Sequence, residues 1–273
     1  MTSPQHHDIV VVGAGIAGAS IASELLERGQ AVCIVDSAPH PASACSSHAY
    51  AIAHPHVGRG APRLLRLTHI AFLMAEARWG KTWKRHGIFQ PNKGDKAFRR
   101  DDVTSYLKSL NLDEGIAQAL YADEAAQLCG INQDGIWLPR GASLNLSEAT
   151  RDALKPHPKL TCCWNTSVAR LEKVNVGWKL LGRQDETIMT AGKVIIAAAL
   201  ETKNLAASID VRLPLRPVRG QLSIFSVAAK NSWAAKLPRT AISGDGYCLP
   251  VKQLPDGNYQ WIVGSSFDEG ESD

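Results

Sequence analysis

The sequence predicts an α/β (α+β) protein, a parallel-sheet domain interleaved with a second, β-rich domain. Three observations carry this. A β-α-β pattern ends at Asp36. A central stretch from Pro62 to Leu154 reads as a series of helices. From Leu160 onward the pattern changes to short strands, joined by one continuous apolar run, Lys193 to Leu200, that reads as a buried parallel strand returning to the first sheet. A simple repeated β-α array would not show this order.

The elements follow from local chemistry. Ile9 to Val12 is a short β-branched run and reads as a fully buried parallel strand. Ala17 to Arg28 is built of helix formers, and Gly29 stops it. Ala31 to Val35 forms the second strand. Ser37 to Pro62, rich in Ala, Ser, His and Pro, is a long functional loop. Leu64, Leu67, Ala71 and Met74 recur at helical spacing, which predicts a helix from Pro62 to about Arg85. Shorter helices are expected at Asp101–Leu110, Asp113–Leu120 and Asp123–Cys129, the last ended by Gly130, and Ser147 is the expected N-cap of a helix running to Leu154. Thr161–Trp164, Val168–Val174, Trp178–Leu181 and Thr187–Thr190 form a meander, and more strands follow between Pro214 and Gly264.

Composition narrows the function classes. The chain has 273 residues, 45% hydrophobic and 21% charged, which excludes a disordered or fibrous protein and allows a sizeable core. The longest apolar stretch, Ile9 to Ala22, is too short to span a bilayer as a helix, and Asp8 with two histidines before it argues against a secretory signal. Six cysteines, with no Cys-x-x-Cys pair, read as reduced thiols of a cytoplasmic protein. The net charge of +4 is uneven: residues 59–108 hold 12 Lys/Arg against four Asp/Glu. Such a block attracts a polyanion, and two helices with solvated basic faces would show the same pattern; both readings stand.

The strongest chemical signal is Gly13-Ala-Gly15-Ile16-Ala17-Gly18 between the first strand and the first helix. Gly13 permits the tight turn, Gly15 lets backbone approach a pyrophosphate, and Gly18 lets helix and strand pack closely. The helix start offers free N–H groups and its positive dipole end to phosphates. Asp36, 18 residues after Gly18, can accept hydrogen bonds from ribose hydroxyls. This is a Rossmann-like dinucleotide site, and the motif itself does not separate NAD from FAD. His40, His48, His54 and His56 prompt a metal reading, but their uneven spacing in a loop without suitable Cys or Asp partners predicts no metal site.

Five segments in order carry a resemblance. They are the glycine turn with Asp36; Cys45-Ser46-Ser47-His48; Leu215-Arg216-Pro217-Val218-Arg219-Gly220-Gln221; Gly244-Asp245-Gly246-Tyr247; and Gly264-Ser-Ser-Phe267-Asp268. Together they resemble the D-amino-acid-oxidase-like flavoprotein family, and within it the FAD-dependent oxidase domains of bacterial tRNA-modifying enzymes. The resemblance implies a Rossmann-like FAD-binding domain (1–85 and 145–212) interleaved with a β-rich substrate domain (86–144 and 213–273). It implies FAD as cofactor and, as substrate, tRNA carrying 5-carboxymethylaminomethyl-(2-thio)uridine at the wobble position. The carboxymethyl group would be removed and a separate methyltransferase would act afterwards. No membrane partner is implied. Family members also continue for roughly a hundred residues past the Phe-Asp element, so this chain reads as C-terminally truncated.

The resemblance also assigns residues. Ser46, Ser47 and His48 occupy the loop that contacts the flavin, although His48 reads equally as a plain loop histidine. The Val168 backbone would meet the adenine. Ala198 lies in the strand ending Ala197-Ala198-Ala199, where the family pattern is Ala-x-Gly, so Ala199 adds a methyl group beside the cofactor. In this chemistry a secondary amine loses hydride to the flavin and the imine hydrolyses. Arg219 is the candidate cation for the substrate carboxylate, since a planar guanidinium binds carboxylates bidentately; a structural arginine at a strand end is the alternative. Tyr247 is a candidate hydrogen-bond donor to the same carboxylate, or a core tyrosine, and Gln221 is a third candidate. Two other functions compete: oxidation of a free glycine- or sarcosine-like amino acid, and a fragment without activity. The basic block, with Trp79, Trp83, Phe89 and Phe98 interleaved, is the expected RNA-facing surface.

Overall fold

A computed structural model describes residues 4–57, 62–92, 100–109, 114–229, 233, 236–266 and 268–269. In chain order the elements are β1 (Gln5–Val12), α1 (Ile16–Glu27), β2 (Val32–Val35), β3 (Ala51–Ala53), α2 (Pro62–Trp79), β4 (Lys84–Arg85), β5 (Ile88–Pro91) and α3 (Arg100–Ser109). There follow β6 (Gln118–Leu120), α4 (Ala122–Cys129), β7 (Gly135–Leu138), β8 (Ala142–Leu144), α5 (Leu146–Ala153), β9 (Leu160–Cys163), β10 (Arg170–Lys173), β11 (Trp178–Leu181) and β12 (Thr187–Ile196). The last are α6 (Thr202–Ala207), β13 (Val218–Arg219), β14 (Leu222–Val227), β15 (Ala241–Ser243), β16 (Tyr247–Cys248), β17 (Lys252–Gln253), β18 (Tyr259–Gly264) and β19 (Asp268–Glu269). The mixed α/β class expected from the sequence is the class observed. Among the described residues, no helix is long and apolar enough to cross a membrane.

The chain divides into two compact units, Met1–Ala49 with Asn145–Pro217, and Tyr50–Leu144 with Val218–Asp273. The sequence reading expected breaks after residues 85, 144 and 212; the middle break here falls after Leu144. The first break falls after Ala49 rather than after residue 85, and the last after Pro217 rather than 212. The reason is pairing: β3 runs antiparallel to β8, and Phe72 of α2 packs with Trp83 and Ala142, which ties residues 50–85 to the second unit.

The first unit is built on a six-stranded sheet in the order β10-β11-β12-β1-β2-β9. β12, β1, β2 and β9 are parallel, and β10 and β11 add an antiparallel margin. The sheet is buried on both faces, as a parallel sheet requires. Val10, Val12, Cys33 and Val35 face one core with Leu171, Leu180 and Met189. Val11, Val32 and Ile34 face the other, against Ala19, Ala22 and Leu26 of α1. The period of two sorts alternate residues onto opposite faces, and each fully buried Val or Ile contributes about 1.5–3 kcal/mol. The runs at Thr187 and Lys193 are one ten-residue strand, not two, because all of β12 from Met189 to Ile196 pairs in register with β1. The α5 N-cap is Asn145, whose side chain accepts from the Glu148 amide at 3.1 Å; the expected cap, Ser147, is buried inside the first turn.

The second unit carries a sheet ordered β14-β18-β16-β15-β5-β7-β6, a smaller one ordered β3-β8-β4, and the pair β13-β19. Its core is Ile88, Val103, Ala117, Ile136, Leu138 and Ala241, with Val57. Two expected helices change here. The long helix stops at Trp79, and Lys84–Arg85 becomes a strand paired with β8. The segment expected as the helix Asp113–Leu120 ends instead in β6, which pairs with β7; residues 110–113 lie outside the described residues. Cross-strand partners distant in sequence outweigh local helix propensity at these positions.

Candidate dinucleotide site

The C-terminal ends of β1, β2 and β12 open on a cavity of about 500 Å³ in the first unit. Ligand crevices of parallel sheets sit at this edge. The lining includes Gly13, Gly15, Asp36, Ser46, Val168 and Ala198 from the sequence reading. It also includes Thr166, Ser167, Arg183, Ala199, Glu201 and Leu205. The predicted Ile16, Ala17, Gly18, Ser47 and His48 lie next to this lining in sequence but are not part of it.

The turn itself is shaped by packing. Gly13 has φ +106°, and a Cβ there would collide with the Ala197 carbonyl oxygen. A Cβ on Gly18 would collide with the Gly13 carbonyl oxygen, so this glycine sets the helix–strand approach. Gly15 is different: among the described residues beyond its own turn, the heavy atom near its Cβ position is Ser46 Oγ at 3.2 Å. Gly15 caps α1 without a side-chain hydrogen bond. A helix start has four N–H groups with no intrahelical partner. One of them, on Ile16, donates to Ser46 Oγ at 3.0 Å.

Asp36 is held in place by backbone. Its Oδ2 accepts from the Ala14 amide at 2.6 Å and its Oδ1 from the Ala38 amide at 2.9 Å. Each oxygen keeps a further lone pair. Bare backbone at Gly15, free helix-start amides and a fixed acid with spare acceptor capacity fit a pyrophosphate-linked dinucleotide such as FAD. Ala199 takes φ +48°, a left-handed conformation that costs an alanine about 1–2 kcal/mol, at a position lining this cavity.

The loop residue His48 is half-buried, and its Nδ1 has no hydrogen-bond partner among the described residues. Burial pushes its pKa down. Its carbonyl accepts from the Ser147 amide at 3.3 Å and so closes the loop onto α5. Among the described residues no group of three or more His, Cys, Asp or Glu could hold a metal.

In the second unit the structure brings Arg219, Gln221 and Tyr247 to one end of neighbouring strands. Arg219 pairs across β13-β19 with Asp268, Nη1 to Oδ2 3.6 Å. Ser266 Oγ donates to the same Asp268 oxygen at 2.8 Å and accepts from the Gln221 amide at 3.2 Å. Leu222, beside Gln221, lies opposite Gly264, which lies opposite Tyr247. The Tyr247 hydroxyl donates to the Tyr50 carbonyl at 2.7 Å. A hydroxyl has one proton, so donation to a substrate carboxylate would require giving up that bond. His54, weighed in the sequence only as one of a loop histidine cluster, has a specific partner. Its Nδ1 donates to the Pro55 carbonyl at 3.0 Å, which leaves Nε2 to accept from Ser243 Oγ at 3.4 Å.

The expected RNA-facing aromatics are corrected by burial. Trp83 and Phe89 are buried, with 7% and 0% exposure, so neither can stack on a base. Phe98 lies outside the described residues, as do 59–61 and the rest of 93–99 in the basic block. Arg85 and Arg140 both bind the Glu76 carboxylate, and Arg78 lies over the Trp79 ring at 5.8 Å.

The chain is similar to known proteins. The chain is 32% identical over 280 residues to the tRNA 5-methylaminomethyl-2-thiouridine biosynthesis bifunctional protein MnmC of Ralstonia nicotianae, covering 99% of this chain and 41% of that protein. It is 28% identical to the protein of the same name from Cupriavidus necator, covering 96% and 40%. The chain thus spans about two-fifths of the length of these relatives. Among solved structures, glycine oxidase from Geobacillus kaustophilus has TM-score 0.70 at 19% identity, covering 98% of this chain and 73% of that one. L-proline dehydrogenase from P. horikoshii has TM-score 0.69 at 17% identity, covering 98% and 72%. At such identities these structures establish the fold alone. Residues 8–273 match the DAO family, FAD dependent oxidoreductase, and the chain belongs to that family of FAD-dependent enzymes.

Proposed function

We propose that this chain oxidises the CH–NH bond of 5-carboxymethylaminomethyl-uridine at the wobble position of tRNA, releasing the carboxymethyl group. The observation that carries this reading is the 32% identity, over 99% of the chain, to a protein named for biosynthesis of tRNA 5-methylaminomethyl-2-thiouridine. Bound FAD would supply the hydride acceptor. The chain's own residues do the rest. The Gly15 turn and helix start hold the pyrophosphate, Asp36 holds the ribose, and the Val168 backbone meets the adenine. In the substrate domain Arg219 binds the carboxylate of the substrate, with Gln221 beside it. Its side chain is 40% exposed beside Asp268, so solvent and a ligand can reach the guanidinium. A separate methyltransferase activity would consume the aminomethyl product, and a soluble cytoplasmic setting suits a tRNA substrate.

A second reading is oxidation of a free glycine- or sarcosine-like amino acid. It is supported by the fold shared with glycine oxidases, at TM-scores of 0.66 and 0.70. A direct comparison separates the two. The purified chain with FAD is given modified tRNA, glycine or sarcosine, and the nucleoside mass is followed with the aldehyde released. Loss of the carboxymethyl mass from tRNA, with slow turnover of both amino acids, supports the proposal. Turnover of glycine or sarcosine without change in the tRNA overturns it, and turnover of none identifies an inactive fragment.

A further inference from the structure

We infer that Arg183 closes the purine end of the dinucleotide cavity, its guanidinium plane lying against the adenine of bound FAD. The inference rests on the FAD reading of this cavity. Gly13, Gly15 and Ser46 line one part of the cavity, and Thr166, Ser167 and Val168 line another. The Ala169 amide donates to the Leu181 carbonyl at 2.8 Å, which fixes Val168 beside the end of β11. Arg183 follows two residues later, in the turn between β11 and β12 that is closed by the Gly182 amide on the Glu186 carbonyl at 2.9 Å. It lines the cavity from there.

The acids around this arginine are committed elsewhere. Asp185 accepts from Arg170 at 2.8 Å, and Glu186 Oε2 accepts from the Gln184 amide at 2.9 Å. Within the lining, Asp36 takes the Ala14 and Ala38 amides, and Glu201 accepts from Asn204 Nδ2 at 2.9 Å. Arg183 makes no hydrogen bond or ion pair among the described residues, although an acid stands two positions away. Among the described residues it is the one cation in the lining, beside Asp36 and Glu201. A guanidinium is planar and weakly hydrated, so it stacks on aromatic faces where an ammonium does not. Leu205 and Val168 add apolar surface for the same base.

The test is binding, with no turnover required. Kd values for FAD, ADP and FMN are measured by fluorescence and calorimetry for the intact chain and for Arg183→Ala and Arg183→Lys. The expected result is a loss of roughly 2- to 30-fold for FAD and ADP in Arg183→Ala, little rescue by Arg183→Lys, and no change for FMN, which lacks the adenine. The loss should persist as salt rises. An unchanged FAD Kd in Arg183→Ala overturns the inference. So does full rescue by lysine with a loss that disappears in high salt, since that pattern marks a phosphate contact. Failure of the unmutated chain to bind either FAD or ADP overturns the FAD reading itself, and this inference with it. Equal melting temperatures for the three proteins show that the fold is intact.

Discussion

The Ala14 amide donates to the Asp36 carboxylate across 2.6 Å, so the acid closing β2 also braces the glycine turn at the end of β1. The same side chain takes the Ala38 amide. Asp36→Ala therefore strips two backbone donors of their acceptor. A stability loss of about 1–3 kcal/mol is expected in urea denaturation. FAD affinity should fall at least about ten-fold, since the ribose acceptor goes with the brace. Asp36→Asn keeps one acceptor oxygen and should retain most of the stability while still binding FAD more weakly.

Gly15 and Gly18 separate ligand fit from folding. Alanine at Gly18 drives a methyl into the Gly13 carbonyl, so Gly18→Ala should lower the melting temperature or prevent folding. Alanine at Gly15 meets only Ser46 Oγ at 3.2 Å, with φ already at −73°. Gly15→Ala should leave the melting temperature of the cofactor-free protein nearly unchanged and weaken FAD binding. Equal losses of stability in the two variants would contradict this division.

His54 makes stability depend on pH. Burial holds its pKa below the ordinary value of 6.5, His56 adds repulsion of the charged form, and the Pro55 carbonyl opposes both by accepting from Nδ1. Ser243 on β15 faces Nε2 and carries no charge. His48 and His86 shift in the same direction through burial. The unfolded chain then takes up protons first. Stability is fully present above the unfolded value and is lost as pH falls below 6.5 toward the lowered folded values. Each group steepens the slope by at most about 1.4 kcal/mol per pH unit. Denaturation midpoints should drop between about pH 7 and pH 5, and His54→Gln should flatten that drop.

How far this site could be read in advance differs between its parts. Gly13, Gly15, Gly18 and Asp36 were legible because their jobs depend on local spacing; α1 and β2 fall within one residue of the expected bounds, and β1 ends at the expected Val12 but starts four residues earlier, at Gln5. Strands such as β5 and β7 were not. Each is four residues long and exists because Ile88–Pro91 pairs with Gly135–Leu138, more than forty positions away. Arg183 was equally hidden. In the sequence it is one polar residue of a hairpin turn, and only the Ala169–Leu181 closure brings that turn to the cavity. Trp83 and Phe89 misled in the other direction, since an aromatic among basic residues reads as a stacking surface until its burial is known.

Tyr247 anchors a backbone carbonyl. Its hydroxyl donates to Tyr50 at 2.7 Å, and burial pushes its pKa up, so it stays protonated at any working pH. Tyr247→Phe should cost about 1 kcal/mol, read as a lower denaturant midpoint at unchanged slope. A substrate role would appear instead as a raised KM without that loss of stability.

Arg219 offers the sharpest test of the substrate domain. Its pairing with Asp268 spans 3.6 Å between side chains that are 40% and 42% exposed. Exposed pairs of this kind contribute about 0–1 kcal/mol, so loss of the Asp268 pair in Arg219→Gln should itself cost little stability. If the guanidinium binds the substrate carboxylate, the same variant should raise KM for modified tRNA by roughly ten-fold or more, the scale of a lost charge-assisted bidentate contact. FAD affinity should be unaffected if FAD binds the proposed cavity, because that cavity is lined by residues of the first unit. Arg219→Lys keeps the charge but not the fork, so it should recover only part of the loss. Steady-state kinetics with the melting temperature measured alongside decides the matter: a falling melting temperature with unchanged KM would make Arg219 a strut of the β13-β19 pair.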